Sequence, residues 1–167
     1  YLIKELLTVT GERKYDMQIF NLNAVIGSMK TKLQVYVGNT ITIVYDLSEQ
    51  PLQIKFDIEA FEEFIMNLIS NAKDAMKDGG TITIKTGTAL LLDKKFVLLS
   101  ISDTGTGMDE ETMKRIFEPF FTTKGSQGTG LGLSIVYRII KDHEGFIEVQ
   151  SELNKGTTFK IYIPVQL

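Results

Sequence analysis

Cysteine is absent from the 167-residue sequence, and histidine occurs once, at His143. Without cysteine the chain has neither a disulfide framework nor thiolate chemistry, and one histidine is too few for a histidine-rich metal site. No apolar run approaches the roughly 18 residues that a membrane-spanning helix needs, and no signal segment opens the chain. We therefore expect a cytoplasmic domain without direct membrane contact, although a domain cut from a membrane-anchored protein would show the same features.

An excess of positive charge is absent as well. The 18 lysines and arginines are outnumbered by 21 aspartates and glutamates, which gives a formal net charge of −3 and a pI near 5.3. This balance argues against a broad nucleic-acid surface, so we expect no nucleic-acid partner. The remaining composition, 43% hydrophobic and 23% charged, is typical of a globular protein, and the length suits one domain.

Local patterns predict a chain in which helices and strands alternate. Helices are expected at residues 1–10, 21–36 with Asn21 as N-cap, 57–77, 109–117, and directly after the glycine-rich stretch 125–134. Strands are expected within residues 11–20, 39–47, 53–57, 81–86, 96–103, 145–153 and 156–165. The hairpin spacing of several strands predicts a two-layer α/β sandwich, with one mixed, largely antiparallel sheet and helices on one face.

The first predicted helix has no N-cap in front of it. Residues 1–15 are therefore expected to be the end of a preceding helix with its linker, and residues 16–167 to form the domain proper.

The long helix at 57–77 carries two different faces. Its apolar residues form one broad face, while Asn67, Asn71 and Asp74 share a narrow stripe about 120° away. Asparagine is a mediocre helix former, and an amide oxygen is a hard, neutral ligand suited to Mg²⁺. The stripe therefore indicates a candidate magnesium site. A solvated polar face is the alternative that the pattern leaves open.

Glycines recur in two segments, one directly after a predicted strand and one directly before a predicted helix. Asp103 ends a strand and is followed by Gly105 and Gly107, so an acidic acceptor stands beside backbone that can approach a planar ring closely. A plain turn is the alternative. The stretch GSQGTGLGLS at 125–134 matches neither the Rossmann nor the P-loop spacing, yet it feeds free amide donors into a helix N-terminus, which suits phosphate.

The segment IFEPFFTTKGSQ at 116–127 lies between them. Its phenylalanines flank a proline, which indicates a hinged apolar segment rather than a plain linker. Lys124, beside the glycines, is suited to reach a phosphate as a point charge. An ordinary surface lysine is the alternative for this residue taken alone.

Five motifs together resemble the catalytic, ATP-binding domain of bacterial sensor histidine kinases. They are NLISNAKDAM at 67–76, DTGTGM at 103–108, FEPFFTTK at 117–124, GTGLGLS at 128–134 and GTTFKIYIP at 156–164. Their order and spacing are similar to the N, F and glycine boxes of that family over roughly residues 20–165, with most likeness to the nitrogen-regulator subtype. The resemblance implies the Bergerat α/β fold, which gyrase B, mismatch-repair ATPases and the ninety-kilodalton heat-shock chaperones share.

The resemblance also implies roles for individual residues. Asn71 would ligate Mg²⁺ and Asn67 would support the phosphate-metal site, while Asp103 would receive the adenine amino group. Lys124 would reach the terminal phosphate from a mobile lid, which makes Asn67, Asn71 and Lys124 the expected catalytic residues. Thr157 would complete the adenine contact through water. The other residues expected to contact ATP are Asp74, Lys77, Gly105, Gly107, Met108, Phe117, Thr123, Gly128, Thr129, Gly130, Leu131 and Gly132.

Two departures from related enzymes refine this expectation. Hydrolytic members carry a glutamate four residues before the metal asparagine, whereas this chain has Asn67, which cannot act as a base. Many histidine kinases carry a basic residue where this chain has Asp74, so Lys73, Lys77 or Lys124 must meet the phosphate charge. Glu63 is either a further polar participant or a surface carboxylate.

The phosphoacceptor histidine is expected outside this sequence. His143 is predicted to cap the last carbonyls of its helix as a cation, and residues 1–10 would be the last turns of a dimerisation helix. The implied partners are a histidine-bearing dimerisation domain of the same protein, a cognate response regulator, and a second copy of the intact protein. A hydrolytic ATPase and a module that only binds nucleotide or a partner are the alternatives.

Overall fold

Helices and strands alternate along residues 2–167, the part of the chain that the computed structural model describes; Tyr1, the first residue of the predicted N-terminal helix, lies outside it. The helices are α1 (Leu2–Thr10), α2 (Leu22–Val37), α3 (Ile58–Ala75), α4 (Glu110–Met113) and α5 (Gly132–Asp142). The strands are β1 (Met17–Asn21), β2 (Ile41–Asp46), β3 (Gln53–Asp57), β4 (Gly80–Leu91), β5 (Lys94–Asp103), β6 (Phe146–Glu152) and β7 (Gly156–Pro164). A single 3₁₀ turn covers Gly125–Gln127.

Five strands form the main sheet in the order β2-β4-β5-β7-β6. Only β2 and β4 run parallel; the other neighbours are antiparallel, and β4 and β5 form the predicted hairpin. Leu92 and Asp93 turn that hairpin with φ values of 46° and 62°, which matches the twist of the strands they join. The mixed, largely antiparallel sheet with helices on one face confirms the predicted fold class.

The two short strands β1 and β3 pair only with each other, as an antiparallel two-stranded sheet. The predicted single sheet is therefore wrong in this detail, because the strands form two separate sheets. Asp57 explains where β3 must stop: it ends the strand and caps α3, since its carboxylate accepts the N–H of Ala60 at 2.9 Å. Strand patterns identify segments, whereas pairing depends on which edges meet in space.

The core lies between the main sheet and helices α2, α3 and α5. Inward-facing residues of β5 and β7 such as Leu99 and Ile161 are fully buried, as are Phe56 of β3 and Phe61 and Phe64 of α3. Each buried side chain of this size stabilises the fold by roughly 1.5–3 kcal/mol. The apolar face predicted for the long helix is therefore the face that positions α3 on the sheet, and its polar stripe faces away from the core.

Helix α4 is shorter than the predicted helix at 109–117. Asp109 caps it, because its carboxylate accepts the N–H of Thr112 at 2.7 Å, but the helix ends at Met113. Beyond it Ile116 is buried in the core, and the N–H groups of Arg115 and Glu118 donate to carbonyls three residues earlier, at Thr112 and Arg115, instead of four. Tertiary packing therefore replaces the last helical turns with a loop.

His143 caps a last-turn carbonyl of α5, as predicted, but it does so as a neutral ring and not as the expected cation. Its Nδ1 contacts the carbonyl of Ile139 at 2.6 Å, but its Nε2 accepts the backbone N–H of Asp57 at 3.2 Å. A nitrogen that accepts is unprotonated, so the ring is neutral and donates through Nδ1. Burial lowers the pKa of His143, and the ring stacks on Phe56 at a centroid distance of 3.6 Å.

Glu63 is paired rather than a surface carboxylate. Its Oε2 lies 2.5 Å from Nη1 of Arg13, and the two side chains are only 15% and 6% exposed, respectively. Tyr15 follows in the same segment and donates to Asp142 of α5 at 3.0 Å. These contacts hold residues 11–16, which lead out of α1, against the helical layer.

Candidate functional site

A cavity of about 1030 Å³ opens between α3, the ends of β5 and β7, and the long segment that joins β5 to α5. All but two of the residues predicted to contact ATP line it: Asn67, Asn71, Asp74, Lys77, Asp103, Gly105, Gly107, Met108, Thr123, Lys124, Gly128, Thr129, Gly130, Gly132 and Thr157. Phe117 instead packs on Tyr137 at a ring distance of 5.4 Å, and Leu131 is buried in the core. The tertiary structure thus brings together motifs that are up to 90 residues apart in sequence.

Asp103 stands at one end of the cavity, at the last position of β5. Its Oδ1 accepts the N–H of Gly105 at 2.8 Å. Burial raises the pKa of Asp103, while the N–H groups of Gly105 and Thr157 act in the opposite direction. A half-buried carboxylate held in this way is a strong acceptor for an amino group that enters the cavity.

The two glycines after Asp103 are required by close backbone packing. A Cβ at Gly105 would lie 2.6 Å from the carbonyl oxygen of Ala75, and a Cβ at Gly107 would overlap the carbonyl oxygen of Glu152. Gly107 also has a φ of 65°, which side chains disfavour. The loop therefore closes against α3 and β6 only with glycine at both positions.

Ser151 on β6 contacts two residues that line this end of the cavity, Met108 and Thr157, and no sequence motif pointed to it. Its hydroxyl accepts the N–H of Met108 at 2.8 Å and lies 3.1 Å from the carbonyl oxygen of Gly156 and 2.7 Å from Oγ1 of Thr157. Ser151 faces Thr157 because the antiparallel register of β6 and β7 places them opposite each other. Only that register reveals the contact.

The opposite end of the cavity is built on the polar stripe of α3. Lys124 donates to Oδ1 of Asn71 at 3.3 Å and also forms an ion pair with Asp74. Lysine can only donate, so the oxygen of the Asn71 amide faces the cavity. Its Nδ2 is buried and is one of three such side-chain nitrogen or oxygen atoms in the described residues without a hydrogen-bond partner. Asn71 thus presents a neutral oxygen to a cation, as a magnesium ligand would.

Carboxylates alone do not build a metal site here. Within residues 2–167, no group of three or more histidine, cysteine, aspartate or glutamate side chains is arranged to hold a metal ion. The donor chemistry fits a hard divalent cation that takes one oxygen from Asn71 and most of its ligands from phosphate groups and water.

Among the three lysines that the sequence analysis left open, Lys124 makes the direct contact with Asn71. Lys73 donates instead to the carbonyl of Tyr36 at 2.9 Å, and its Nζ lies 4.7 Å from the centre of the Tyr36 ring. Lys77 lines the cavity but is exposed at the C-terminal end of α3. The geometry therefore favours Lys124 as the cation nearest the polar stripe.

The segment 117–130, which we call the lid, lies beside the polar stripe of α3 and lines that end of the cavity. Its base is closed by a hydrogen bond from the N–H of Phe120 to the carbonyl of Gly130 at 2.9 Å. A Cβ at Gly130 would collide with the backbone of Phe120. The Phe120 side chain is 66% exposed, and Lys124 and Gly125 are exposed as well. The lid thus has a fixed base and a tip with few contacts.

Helix α5 begins at the end of the lid. Leu131, at its N-cap position, provides no side-chain acceptor for the first amides of the helix. Gly132, the first residue of the helix, lines the cavity close to Asn67, since a Cβ at Gly132 would lie 3.4 Å from Oδ1 of Asn67. Unpaired amides at a helix N-terminus favour an anion such as phosphate.

Residues 56–167 match the family of histidine kinase-, DNA gyrase B- and HSP90-like ATPases. The chain belongs to this family, and it is a catalytic ATPase domain of the histidine kinase type. It is 38% identical to sensor kinase CckA of Brucella abortus (strain 2308) over 98% of this chain and 18% of that protein. It is 39% identical to sporulation kinase E of Bacillus subtilis (strain 168) over 93% of this chain and 20% of that protein.

Solved structures agree with this assignment. The catalytic domain of histidine kinase ThkA superposes with a TM-score of 0.73 at 32% identity, covering 90% of this chain and 96% of that one. The resemblance found in the sequence is confirmed at the level of the family, and the hydrolytic alternative is not favoured. The chain spans about a fifth of the length of the two kinases named above. Across residues 2–167, no helix has both the length and the apolar character needed to cross a membrane.

Proposed function

We propose that the intact protein is a sensor histidine kinase in which this domain binds ATP with Mg²⁺ and transfers the γ-phosphoryl group to a histidine on a dimerisation domain. A cognate response regulator would then receive the phosphoryl group. One observation carries the proposal: a single cavity has the acceptor Asp103 at one end and the amide oxygen of Asn71, facing a lysine ammonium, at the other.

At the adenine end, Asp103 would accept the amino group of the base. Gly105 and Gly107 have no side chains, so the loop backbone would lie directly against the ring. Packing against Ala75 and Glu152 leaves no room for a Cβ at either position. Met108 and Thr157 line the same end of the cavity and would complete the contact. Binding here orients the nucleotide, so that its phosphates extend toward the polar stripe of α3.

At the phosphate end, Lys124 and the amides of Gly128, Gly130 and the first turn of α5 would hold the phosphates. Asn71 would be the protein ligand of Mg²⁺, which when bound supplies charge neutralisation for the phosphate oxygens. Asn67, one turn earlier on the same face, would support this arrangement. Phosphoryl transfer depends mainly on such positioning and charge compensation.

The side chains that α3 presents at the phosphate end favour transfer over hydrolysis. Asn67 stands where a catalytic carboxylate would be needed, and an amide cannot accept a proton from water. Asp74 lines the same end, but its carboxylate is paired with Lys124. A neutral imidazole brought in by another domain would then be the better nucleophile.

The remaining proposals concern the parent protein. Residues 1–15 would be the end of the dimerisation helix and its linker, residues 16–167 the catalytic domain, and the intact protein a homodimer with this domain in the cytoplasm. Ile3, Leu6 and Leu7 are exposed on α1 at a spacing of three and four residues, which forms one stripe of a helix. Such a stripe supports packing against further helices.

Phosphoryl transfer can be tested by mixing this chain with the separately produced histidine-bearing domain of its parent, Mg²⁺ and γ-labelled ATP. We expect label on the histidine domain and little release of phosphate without that domain. The Asn71→Asp variant should lose transfer. The proposal fails if ATP binds but the histidine domain stays unlabelled, or if the chain alone hydrolyses ATP rapidly.

The lid can be tested by amide hydrogen exchange with and without Mg·ATP. We expect slower exchange in residues 117–130 on addition of nucleotide, because Lys124 and the glycine amides would gain phosphate partners. Residues 97–101 of β5, which are internal to the main sheet, are the matched control and should change little. An unchanged rate of amide exchange in residues 117–130 on addition of Mg·ATP would contradict a role of the lid in binding.

A further inference from the structure

We infer that Ser151 is a positioning residue for adenine selectivity, because it forces the hydroxyl of Thr157 to act as an acceptor toward the base. This inference rests on the proposed binding of ATP in the cavity. It concerns a side chain on β6 that belongs to none of the recognised motifs. The physical basis is the number of protons that the two hydroxyl groups can share.

The Ser151 hydroxyl has one proton and two lone pairs. The N–H of Met108, 2.8 Å away, can only donate, so it occupies one lone pair of Ser151. The carbonyl oxygen of Gly156, 3.1 Å away, can only accept, so it takes the single Ser151 proton. The remaining contact, 2.7 Å to Oγ1 of Thr157, must then use the proton of Thr157.

Thr157 therefore donates its only hydroxyl proton to the oxygen of Ser151. Its oxygen keeps lone pairs, and the residue lines the cavity beside Asp103, its cross-strand partner in β5. Two acceptors, the Asp103 carboxylate and Oγ1 of Thr157, thus stand side by side. A base that offers an amino group, directly or through one water, satisfies both acceptors, whereas a base without this donor leaves a half-buried acceptor unpaired.

The arrangement is stable because Ser151 is itself fully satisfied and fixed from three sides. The contacts to Met108 and Gly156 connect it to the loop after Asp103 and to the first residue of β7. Thr157 is only 7% exposed, so little water is available to take the place of Ser151. Removal of the Ser151 hydroxyl would free the Thr157 proton to turn toward the cavity.

The test compares the affinity for ATP with that for purine riboside triphosphate, which lacks the amino group. We expect wild-type protein to prefer ATP, and Ser151→Ala to reduce the ratio of the two affinities about 3- to 10-fold, the equivalent of one hydrogen bond. Ser151→Thr retains a hydroxyl and should restore the ratio. Ser102→Ala is the matched control, since Ser102 makes a similar 2.8 Å contact with Thr158 across β5 and β7 but does not line the cavity.

A merely structural role of Ser151 would weaken both nucleotides by the same factor and leave their ratio unchanged, and that result would overturn the inference. An equal change of the ratio in Ser102→Ala would overturn it as well. Failure of wild-type protein to bind ATP would instead refute the proposed function. Titration calorimetry provides all of these affinities, and urea unfolding of each variant establishes that it is folded.

Discussion

The two ends of the cavity are held in opposite ways. At the adenine end, Asp103, Gly107 and Thr157 lie on or beside strands of the main sheet, and backbone groups pack so closely that no Cβ fits at Gly107. At the lid, Lys124 and Gly125 are exposed, and the tip contacts α3 through the side chain of Lys124, which reaches Asn71 and Asp74. Backbone packing makes the first end rigid, whereas the lid is held to α3 by exposed side chains.

This difference has a physical consequence for catalysis. A base that must be recognised in every turnover is best met by groups that do not move, because preorganised acceptors need no further ordering. Phosphates that must be admitted and released are better met by a segment with a low free energy of local opening. The following predictions test this contrast, from the largest expected effect to the smallest.

The largest difference between the two ends is expected in the free energy of unfolding when a glycine at each end is replaced by alanine. Gly107 and Gly125 have nearly the same φ, 65° and 61°, but a Cβ would overlap backbone at Gly107 and meet nothing within 4 Å at Gly125. We expect Gly107→Ala to lower the free energy of unfolding by about 3 kcal/mol, from backbone strain and overpacking together. Gly125→Ala should cost about 1 kcal/mol, from strain alone. Equal losses in urea unfolding would refute the contrast.

Nucleotide affinity should distinguish the ends in a second way. Asp103→Asn should weaken both adenosine and ATP by about 10- to 100-fold, since it removes a charged acceptor. Lys124→Met should weaken ATP but leave adenosine unchanged, because the lid lysine lies at the phosphate end. Asp93→Asn, in the exposed hairpin turn, is the control and should change neither affinity. A loss of adenosine binding in Lys124→Met would show that the ends are coupled.

The pH dependence of stability should report the burial of Asp103. Its pKa is raised in the folded protein, so between the unfolded pKa of 3.8 and the folded pKa the native state binds more protons than the unfolded state. The contribution of Asp103 to the free energy of unfolding is therefore present below about pH 4 and is lost as pH rises through the folded pKa. Asp103→Asn lacks this loss, so its stability relative to wild type should increase from pH 4 to pH 7 in urea unfolding.

The ion pair of the lid should contribute least. Lys124 and Asp74 are 39% and 46% exposed, and surface pairs stabilise proteins by about 1 kcal/mol or less. Asp74→Asn should therefore reduce the free energy of unfolding by no more than about 1 kcal/mol. Asp46→Asn, which removes the exposed partner of Lys85, is the matched control. A loss well above that of the control would mean that the lid is as firmly held as the adenine end.

Residues within ordered motifs were predictable because their chemistry is local. The helical spacing of Asn67, Asn71 and Asp74 predicted one polar stripe, and Asp103 at a strand end predicted an acceptor; all four line one cavity. The individual roles of these residues in catalysis stay predictions. The family itself was also within reach of the sequence, since the motifs occur in a fixed order.

Other features depend on segments that meet only in the folded chain. Arg13 pairs with Glu63 across 50 residues, and Asp57 contributes the N–H that keeps His143 neutral. His143 looked like a cationic helix cap because sequence alone shows its helix, whereas in the structure the ring caps that helix in its neutral form, stacked on Phe56. Burial and partners, rather than residue type, decide the charge of such a group.

The sequence by itself determined the α/β class, the faces of the long helix and the order of the motifs, because helical and strand periodicities and glycine-rich turns are local properties of the chain. The tertiary structure alone decided that β1 and β3 leave the main sheet, that Lys124 rather than Lys73 meets Asn71, and that Ser151 faces Thr157. These outcomes follow from strand register and from the packing of distant segments, which fix side-chain partners only after the backbone has closed.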